Sequence, residues 1–86
     1  MAIHLVQRSH AFLPCSRARA EGDMVVLLGE GVSAVLLGAT DCYACATDLG
    51  QRGLTDRLPA GVTLIGDAEL VALCAKHSPV VSWTKA

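Results

Sequence analysis

Five short apolar runs alternate with helix-forming segments along this sequence, and this alternation is what most restricts the fold. The runs cover residues 3–6, 24–28, 42–46, 62–65 and 80–83. Each has the length and the apolar character of a strand buried in a sheet. Chains that alternate strand and helix form a mostly parallel sheet with helices on both faces. We therefore predict a small three-layer α/β/α sandwich of the Rossmann or flavodoxin type, with about five strands.

Helix start and stop signals lie between these runs. Proline can occupy the first turn of a helix, glycine commonly follows the last turn, and Thr or Asp can cap the start. On this basis the predicted helices cover residues 14–20, 32–37, 48–53 and 68–77, with caps at Thr47 or Asp48 and at Asp67. One face of the last helix is defined by i, i+3, i+4, i+7 spacing and carries Leu70, Leu73, Cys74 and His77.

The size of the chain conflicts with its composition. Its 86 residues predict one domain, spanning 1–86, yet 52% of them are hydrophobic and the mean hydropathy is +0.46. A chain this short buries only about 60–65% of the surface that it exposes when unfolded. We therefore expect part of one face to be buried against another subunit. The same composition excludes an intrinsically disordered chain.

Charge and targeting signals restrict the setting of the chain. The longest apolar stretch, residues 24–39, is interrupted by Gly29, Glu30 and Gly31, and it falls short of the roughly 20 residues of a membrane span. No secretory signal is visible, and the four cysteines fit reduced thiols, so we expect a cytoplasmic protein that does not contact a membrane. The net charge of -1 does not suit a nucleic-acid groove. Residues 1–20 nevertheless hold three arginines and no acid, which indicates either a solvated surface or an asymmetric docking surface.

Gly29-Glu-Gly-Val-Ser-Ala34 fits the dinucleotide pattern GxGxxG/A and lies between a predicted strand and a predicted helix. The fingerprint normally follows the first strand, however, whereas here it follows the second. Glu30 would also place a negative charge where a pyrophosphate binds. We interpret Gly31 as the residue that permits a sharp turn, and a small nucleotide-binding module remains the alternative.

Cys42-Tyr-Ala-Cys45 has the C-x-x-C spacing of a redox pair or of half a zinc site. Both cysteines fall within a predicted strand, where residues i and i+3 point to opposite faces. They could not share a disulfide or a metal ion without distortion, so we expect both to pack in the core. We predict no cofactor and no metal, and a structural role for His77 at the end of its helix.

Cys15 has the best local setting for thiol chemistry. It follows Pro14 in the first turn of a predicted helix, where the macrodipole is positive, and Arg17 and Arg19 are close in sequence. Both effects favour a thiolate, which is the nucleophile and the sulfur carrier. We therefore predict a pKa for Cys15 below the free-thiol value of about 8.5, and faster alkylation than at the other three cysteines. The alternative is a thiol in a subunit contact or partly buried on the helix.

Four segments, spread in order over nearly the whole chain, carry a family resemblance. They are His4-Leu-Val-Gln-Arg-Ser9, then Glu21-Gly-Asp-Met-Val-Val-Leu-Leu28 running into Gly31-Val32, then Asp48-Leu-Gly-Gln-Arg-Gly-Leu54 with its D-L-x-x-R-G-L pattern, and finally Lys76-His-Ser78 followed by Ser82-Trp83. In this order and at these spacings they resemble the TusB/DsrH family of sulfur-relay subunits.

The resemblance implies an α/β subunit of the DsrEFH type, joined to TusC/DsrF-like and TusD/DsrE-like relatives in a dimer of heterotrimers. In the Tus system such a complex passes persulfide sulfur from a cysteine desulfurase, through TusA, toward a TusE/DsrC-like acceptor. The sulfur ends in 2-thiouridine at the tRNA wobble position, and this subunit does not itself contact nucleic acid. The principal sulfur-accepting cysteine belongs to the TusD/DsrE-like subunit, which implies an auxiliary or structural role for this chain.

The resemblance leaves the branch of the family open. Cys15, which precedes Glu21-Gly22, matches the first-helix cysteine of DsrH-type members, whereas Lys76-His-Ser78 is more similar to TusB members. Three functions are therefore carried forward. They are a non-catalytic subunit of a sulfurtransferase complex in tRNA 2-thiolation, a DsrH-type subunit in dissimilatory sulfur oxidation with Cys15 as persulfide carrier, and the nucleotide-binding module.

Overall fold

The computed structural model describes residues 2–84 and contains the five predicted strands. All neighbouring strands are parallel and lie in the order β4-β3-β2-β1-β5. Two of them, β2 and β3, end one residue earlier than predicted. The strands are β1 (Ile3–Val6), β2 (Met24–Leu27), β3 (Cys42–Cys45), β4 (Val62–Ile65) and β5 (Val80–Trp83).

The helices lie one to three residues earlier in the chain than predicted, at their starts and, for the α-helices, also at their ends. Helix α1 (Phe12–Ala18) begins two residues before Pro14, because a 3₁₀ turn (Ser9–Ala11) leads directly into it. The predicted helix over 32–37 is a 3₁₀ helix, Gly29–Leu37, which starts three residues earlier. The type of helix could not be read from the sequence, since short apolar segments suit either geometry.

Both predicted helix caps, Thr47 or Asp48 for the helix after β3 and Asp67 for the last helix, are wrong. Helix α2 (Ala46–Gln51) follows β3 without a loop, so its cap is Cys45 and neither Thr47 nor Asp48. Helix α3 (Asp67–Lys76) has Gly66 as its cap, and the Gly66 N–H donates to the Glu69 carboxylate at 3.3 Å. In both cases the helix begins sooner after the preceding strand than the Thr and Asp residues suggested.

The sheet separates two apolar layers, as the three-layer prediction requires. On one side, α1, α2 and the 3₁₀ helix cover a core that includes Val6, Leu27 and Leu49. On the other side, α3 alone covers Ile3, Val26 and Ile65. This division follows from the connections, because α3 is the segment that carries the chain from β4 across the sheet to β5. None of the helices in residues 2–84 combines the length and the apolar character that crossing a bilayer requires.

The predicted face of α3 is confirmed, although the helix is thinly packed. Its side chains at Leu70, Leu73 and Cys74 contact the second core, and His77 is half-buried at its end. No residue of α3 is fully buried, and Val71 is 69% exposed.

Gly31 allows the 3₁₀ helix to press against the end of β1. A Cβ atom at this position would overlap the carbonyl group of Val6. That carbonyl oxygen already accepts the N–H of Leu28 at 3.0 Å, so the strand cannot move away without breaking a hydrogen bond. The residue is therefore required for a close backbone approach.

Replacing Gly31 with alanine should lower the free energy of unfolding by about 1–3 kcal/mol, because the added methyl group forces the backbones of β1 and the 3₁₀ helix apart. The matched control is Gly50→Ala in α2, where an added Cβ meets no atom within 4 Å. That control should be neutral or stabilising by up to about 1 kcal/mol. Urea unfolding of both variants measures the difference, and an unchanged stability for Gly31→Ala would contradict the proposed contact.

Candidate functional site

Cys15, the predicted thiol site, lies inside the protein. It is the fourth residue of α1 rather than a residue at the helix start. Its side chain is 0% exposed and belongs to the core on the α1 side of the sheet. Arg17, two residues further on, is exposed on the outer surface of the same helix.

The electrostatic setting of Cys15 is the reverse of the predicted one. Burial raises the pKa of Cys15 to about 11, while the Arg19 guanidinium lowers it only in part and Asp23 raises it further. The prediction of a depressed pKa is therefore wrong. The sequence showed two nearby arginines and a nearby proline. It did not show that the side of α1 that carries Cys15 packs against the sheet, where burial raises the pKa. Whether Cys15 carries sulfur stays a prediction.

Arg19 ties the end of α1 to the loop before β3. Its guanidinium donates to the backbone carbonyl oxygen of Asp41 at 3.1 Å and to the Asp41 carboxylate at 2.6 Å. A cavity of about 230 Å³ opens beside this ion pair, at the amino-terminal edge of the sheet, and Cys42 and Asp23 are among the residues that line it. Burial raises the pKa of Cys42 to about 11, so the cavity holds a thiol at neutral pH and not a thiolate.

The two cysteines of the C-x-x-C motif are buried, as predicted. Cys42 belongs to the core on the α1 side, and Cys45, three positions further along β3, projects from the opposite face. The Cys45 thiol donates to the Asp67 carboxylate at 3.6 Å, and burial raises its pKa. All four cysteines of the chain are unpaired. This geometry fits packing and does not bring the two sulfur atoms together.

Groups of the glycine motif after β2 already form hydrogen bonds with other parts of the protein. The N–H of Gly29 donates to the Asp48 carboxylate at 2.9 Å, and the Glu30 carboxylate accepts the N–H of Ser9 at 2.9 Å. The N–H of Ser9 is also the main reason why the pKa of Glu30 is lowered. The loop therefore presents carboxylates, and not free N–H groups, where a phosphate would have to bind. This favours a structural role of the motif over a nucleotide site. Gly31 serves the close approach to Val6 and not the predicted sharp turn, because the positive φ of 54° belongs to Gly29.

A buried histidine on β1 connects three parts of the fold. His4 is 6% exposed, and its Nε2 lies 2.9 Å from the Asp23 carboxylate. The indole Nε1–H of Trp83 donates to Nδ1 of the same ring at 3.0 Å. Because an indole nitrogen can only donate, Nδ1 is the unprotonated nitrogen and Nε2 carries the ring hydrogen. His4 is therefore held as one neutral tautomer between a carboxylate and an indole.

Asp23 is the acceptor at the centre of this network. Besides the ring of His4 it accepts the N–H of Ala20 at 3.0 Å and the N–H of Ala2 at 2.9 Å. These three hydrogen bonds, with that of His4 the most important, lower the pKa of Asp23 from 3.8 to about 2. A carboxylate bound in this way joins the start of β1 to the loop that precedes β2.

The sequence analysis missed this network. His4 and Trp83 lie on two predicted strands, but their contact depends on β5 pairing with β1 in a register that places Trp83 beside Val6. The residue types alone could have indicated the contact. A histidine and the single tryptophan each stand in an apolar strand, and buried groups of that kind require a hydrogen-bond partner.

The other two histidines lie apart from this network. His10 is exposed on the 3₁₀ turn, and His77 follows α3, where its N–H donates to the Leu73 carbonyl oxygen at 3.0 Å. Within residues 2–84, no three His, Cys, Asp or Glu side chains are grouped so that they could hold a metal ion.

Comparison with known proteins places these observations in a family. Residues 7–80 match the sequence model of a family described as DsrH like protein. A protein of Pectobacterium atrosepticum named Protein TusB is 35% identical over 77 residues, which cover 78% of this chain and 81% of the relative. Proteins of the same name from Serratia proteamaculans and Escherichia coli O81 are 36% and 32% identical, and the latter alignment covers 94% of this chain and 99% of the relative.

In the native chain, iodoacetamide should label Cys74 before Cys15 and Cys42. Cys74 is only partly buried on α3, whereas the other two thiols are buried and have pKa values of about 11. Mass spectrometry after timed labelling measures the order, and labelling in urea, where all four thiols should react at similar rates, is the control. Faster reaction of Cys15 than of Cys74 in the folded chain would contradict the buried position of α1's thiol.

Stability in acid should depend on Asp23. Its pKa is lower in the folded chain, about 2 against an ordinary value of 3.8, so its contribution is complete above about pH 4 and is lost as the pH falls toward 2. Asp23→Asn should therefore reduce the loss of stability between pH 4 and pH 2. The control is Asp56→Asn, at an exposed position. Urea unfolding at several pH values tests this, and equal pH slopes for wild type and Asp23→Asn would refute it.

Proposed function

This chain belongs to the DsrH-like family, and from that premise we propose that it is an auxiliary, structural subunit of a heteromeric sulfur-relay complex. The observation that carries the auxiliary role is the complete burial of Cys15. The proposed process is 2-thiolation of the tRNA wobble uridine. The name Protein TusB, shared by relatives that align over most of this chain, supports this branch.

The chemistry of sulfur transfer explains why burial matters. A thiolate must attack the outer sulfur of a donor persulfide, so that a new S–S bond forms while the donor leaves as a thiolate. With a pKa of about 11, Cys15 is ionised in only about one molecule in ten thousand at pH 7. The donor sulfur also cannot reach a side chain that is 0% exposed. The burial of Cys15 supports the proposal that the sulfur-carrying cysteine of the complex belongs to another subunit.

The partners that we propose are TusC/DsrF-like and TusD/DsrE-like subunits in a dimer of heterotrimers, with a TusE/DsrC-like protein as the sulfur acceptor. Three large apolar side chains that remain exposed near one another on the α1 side support a subunit role, namely Leu13, Leu36 and Leu37. The proposed setting is the cytoplasm, where thiols such as the four unpaired cysteines of this chain stay reduced. We propose that residues 1–86 act as a single domain in this complex.

A second candidate function is a DsrH-type subunit of a sulfur-oxidising complex in which Cys15 carries a persulfide. The Arg19 guanidinium favours this reading, because it is close enough to Cys15 to lower its pKa in part. Such a carrier would have to expose the thiol by moving α1 away from the sheet, at the cost of the Arg19–Asp41 ion pair.

Cys15→Ala in the assembled complex should leave sulfur transfer to the TusE/DsrC-like acceptor unchanged within about twofold, because the thiol serves packing. The measurement is passage of ³⁵S from a loaded donor to that acceptor, per mole of folded complex. The matched control replaces the sulfur-accepting cysteine of the TusD/DsrE-like subunit, and that change should abolish transfer.

Loss of transfer in Cys15→Ala, with an intact complex and an unchanged melting temperature, would establish the carrier function instead. Deletion of the gene decides the process, since the proposal requires loss of wobble 2-thiouridine in tRNA. Retention of that nucleoside in the deletion strain would overturn the tRNA branch.

A further inference from the structure

An apolar groove lies on the outer surface of the α1 side, between α1 and the end of the 3₁₀ helix. Its volume is about 310 Å³, and its walls are formed by Ser9, His10, Phe12, Leu13, Leu37 and Gly38. We call it the leucine groove, because Leu13 and Leu37 are 55% and 69% exposed there. Leu36, next to it in the chain, is 54% exposed. Exposed leucines gathered at one depression are typical of a docking surface, whereas scattered single ones are not.

The rim of the leucine groove is basic. Arg17 follows Leu13 by one helical turn, so the two side chains are neighbours on the surface of α1. His10 forms part of the wall, and Arg8 is exposed just before it. Residues 8–20 and 31–40, which build this surface, contain no aspartate or glutamate, and the carboxylate of the adjacent Glu30 already accepts the N–H of Ser9.

Arg17 is the cation of this rim that the chain itself does not neutralise. Within the described part of the chain, Asp41 pairs with Arg19 and Asp23 is bound by the neutral ring of His4, and neither contact involves Arg17. Arg8 and His10 differ in this respect, because after the hydrogen bonds from Ser9 their charges also help to lower the pKa of Glu30. The positive charge beside Leu13 is therefore available to a partner.

This charge decides what kind of surface can cover the groove. A second copy of the chain, packed through the same groove, would bring two basic rims together, since a twofold contact pairs each patch with itself. Like charges facing each other across an interface disfavour that contact. A different protein that presents apolar side chains surrounded by carboxylates can bury the exposed leucines and pair with Arg17.

We propose that the leucine groove is the docking surface for a heterologous partner subunit, whose contacting face presents apolar side chains ringed by aspartate or glutamate. The proposal rests on the complex proposed above and adds which face of this chain enters it and with what chemistry. The face of α3 on the other side of the sheet, with Val71 at its centre, stays outside this contact.

The experiment co-expresses the full chain with tagged TusD/DsrE-like and TusC/DsrF-like subunits from the same genome, and measures by native mass spectrometry how much of the chain is incorporated. Leu37→Asp should reduce incorporation by about tenfold or more, because it places a charge in the apolar centre of the contact. Arg17→Glu should reduce it by about threefold to tenfold. Val71→Asp is the matched control, since Val71 and Leu37 are equally exposed at 69%, and it should have no effect.

Each result separates this proposal from the proposed function. Normal incorporation of Leu37→Asp would overturn the groove as the docking surface. Normal incorporation of Arg17→Glu would overturn the acidic character of the partner's face. In both cases the proposed complex itself would stand. Absence of incorporation for the unchanged chain overturns both. A dimer of this chain alone that Leu37→Asp dissociates, with the hetero-complex intact, makes a second copy the occupant and overturns the proposal. Circular dichroism confirms that the variants fold, which their exposed positions lead us to expect.

Discussion

The two nitrogens of a single imidazole ring hold together the parts of this fold that are furthest apart in the chain. His4 stands on β1, which pairs with β2 on one side and with β5 on the other. Through Nε2 it is joined to Asp23 before β2, and through Nδ1 to Trp83 on β5. A buried ring with both nitrogens bonded leaves no polar atom unsatisfied, so the strand order β2-β1-β5 is specified by hydrogen bonds as well as by apolar packing.

The sheet could be predicted from the sequence because strands leave a strong local signal. Runs such as Ile3–Val6 and Val62–Ile65 lie where the structure has strands, and the half-buried face of α3 follows from its spacing. Helix starts could not be predicted in the same way. Cys45 caps α2 although it is not a typical cap residue, because β3 runs directly into the helix.

The candidate site was harder to predict, because the pKa of a thiol depends on what covers it. Neighbours in sequence suggested an activated Cys15, yet its burial beneath α1 dominates over the charge of Arg19. The contact between His4 and Trp83 needed the order of the strands, which no local pattern contains. The basic, acid-free start of the chain, by contrast, is visible in the sequence and in the structure borders the leucine groove.

The position of β5 has a consequence for how the chain folds as it is synthesised. His4 and Trp83 are separated by 79 positions, so β1 leaves the ribosome long before its second neighbour exists. Until then one edge of β1 presents unpaired backbone groups, and Nδ1 of His4 lacks the indole N–H that Trp83 donates to it. Contacts of such long sequence separation form slowly, and open parallel edges invite association with other chains. Association between such nascent chains is therefore reduced when a molecule that covers exposed strand edges is present during synthesis.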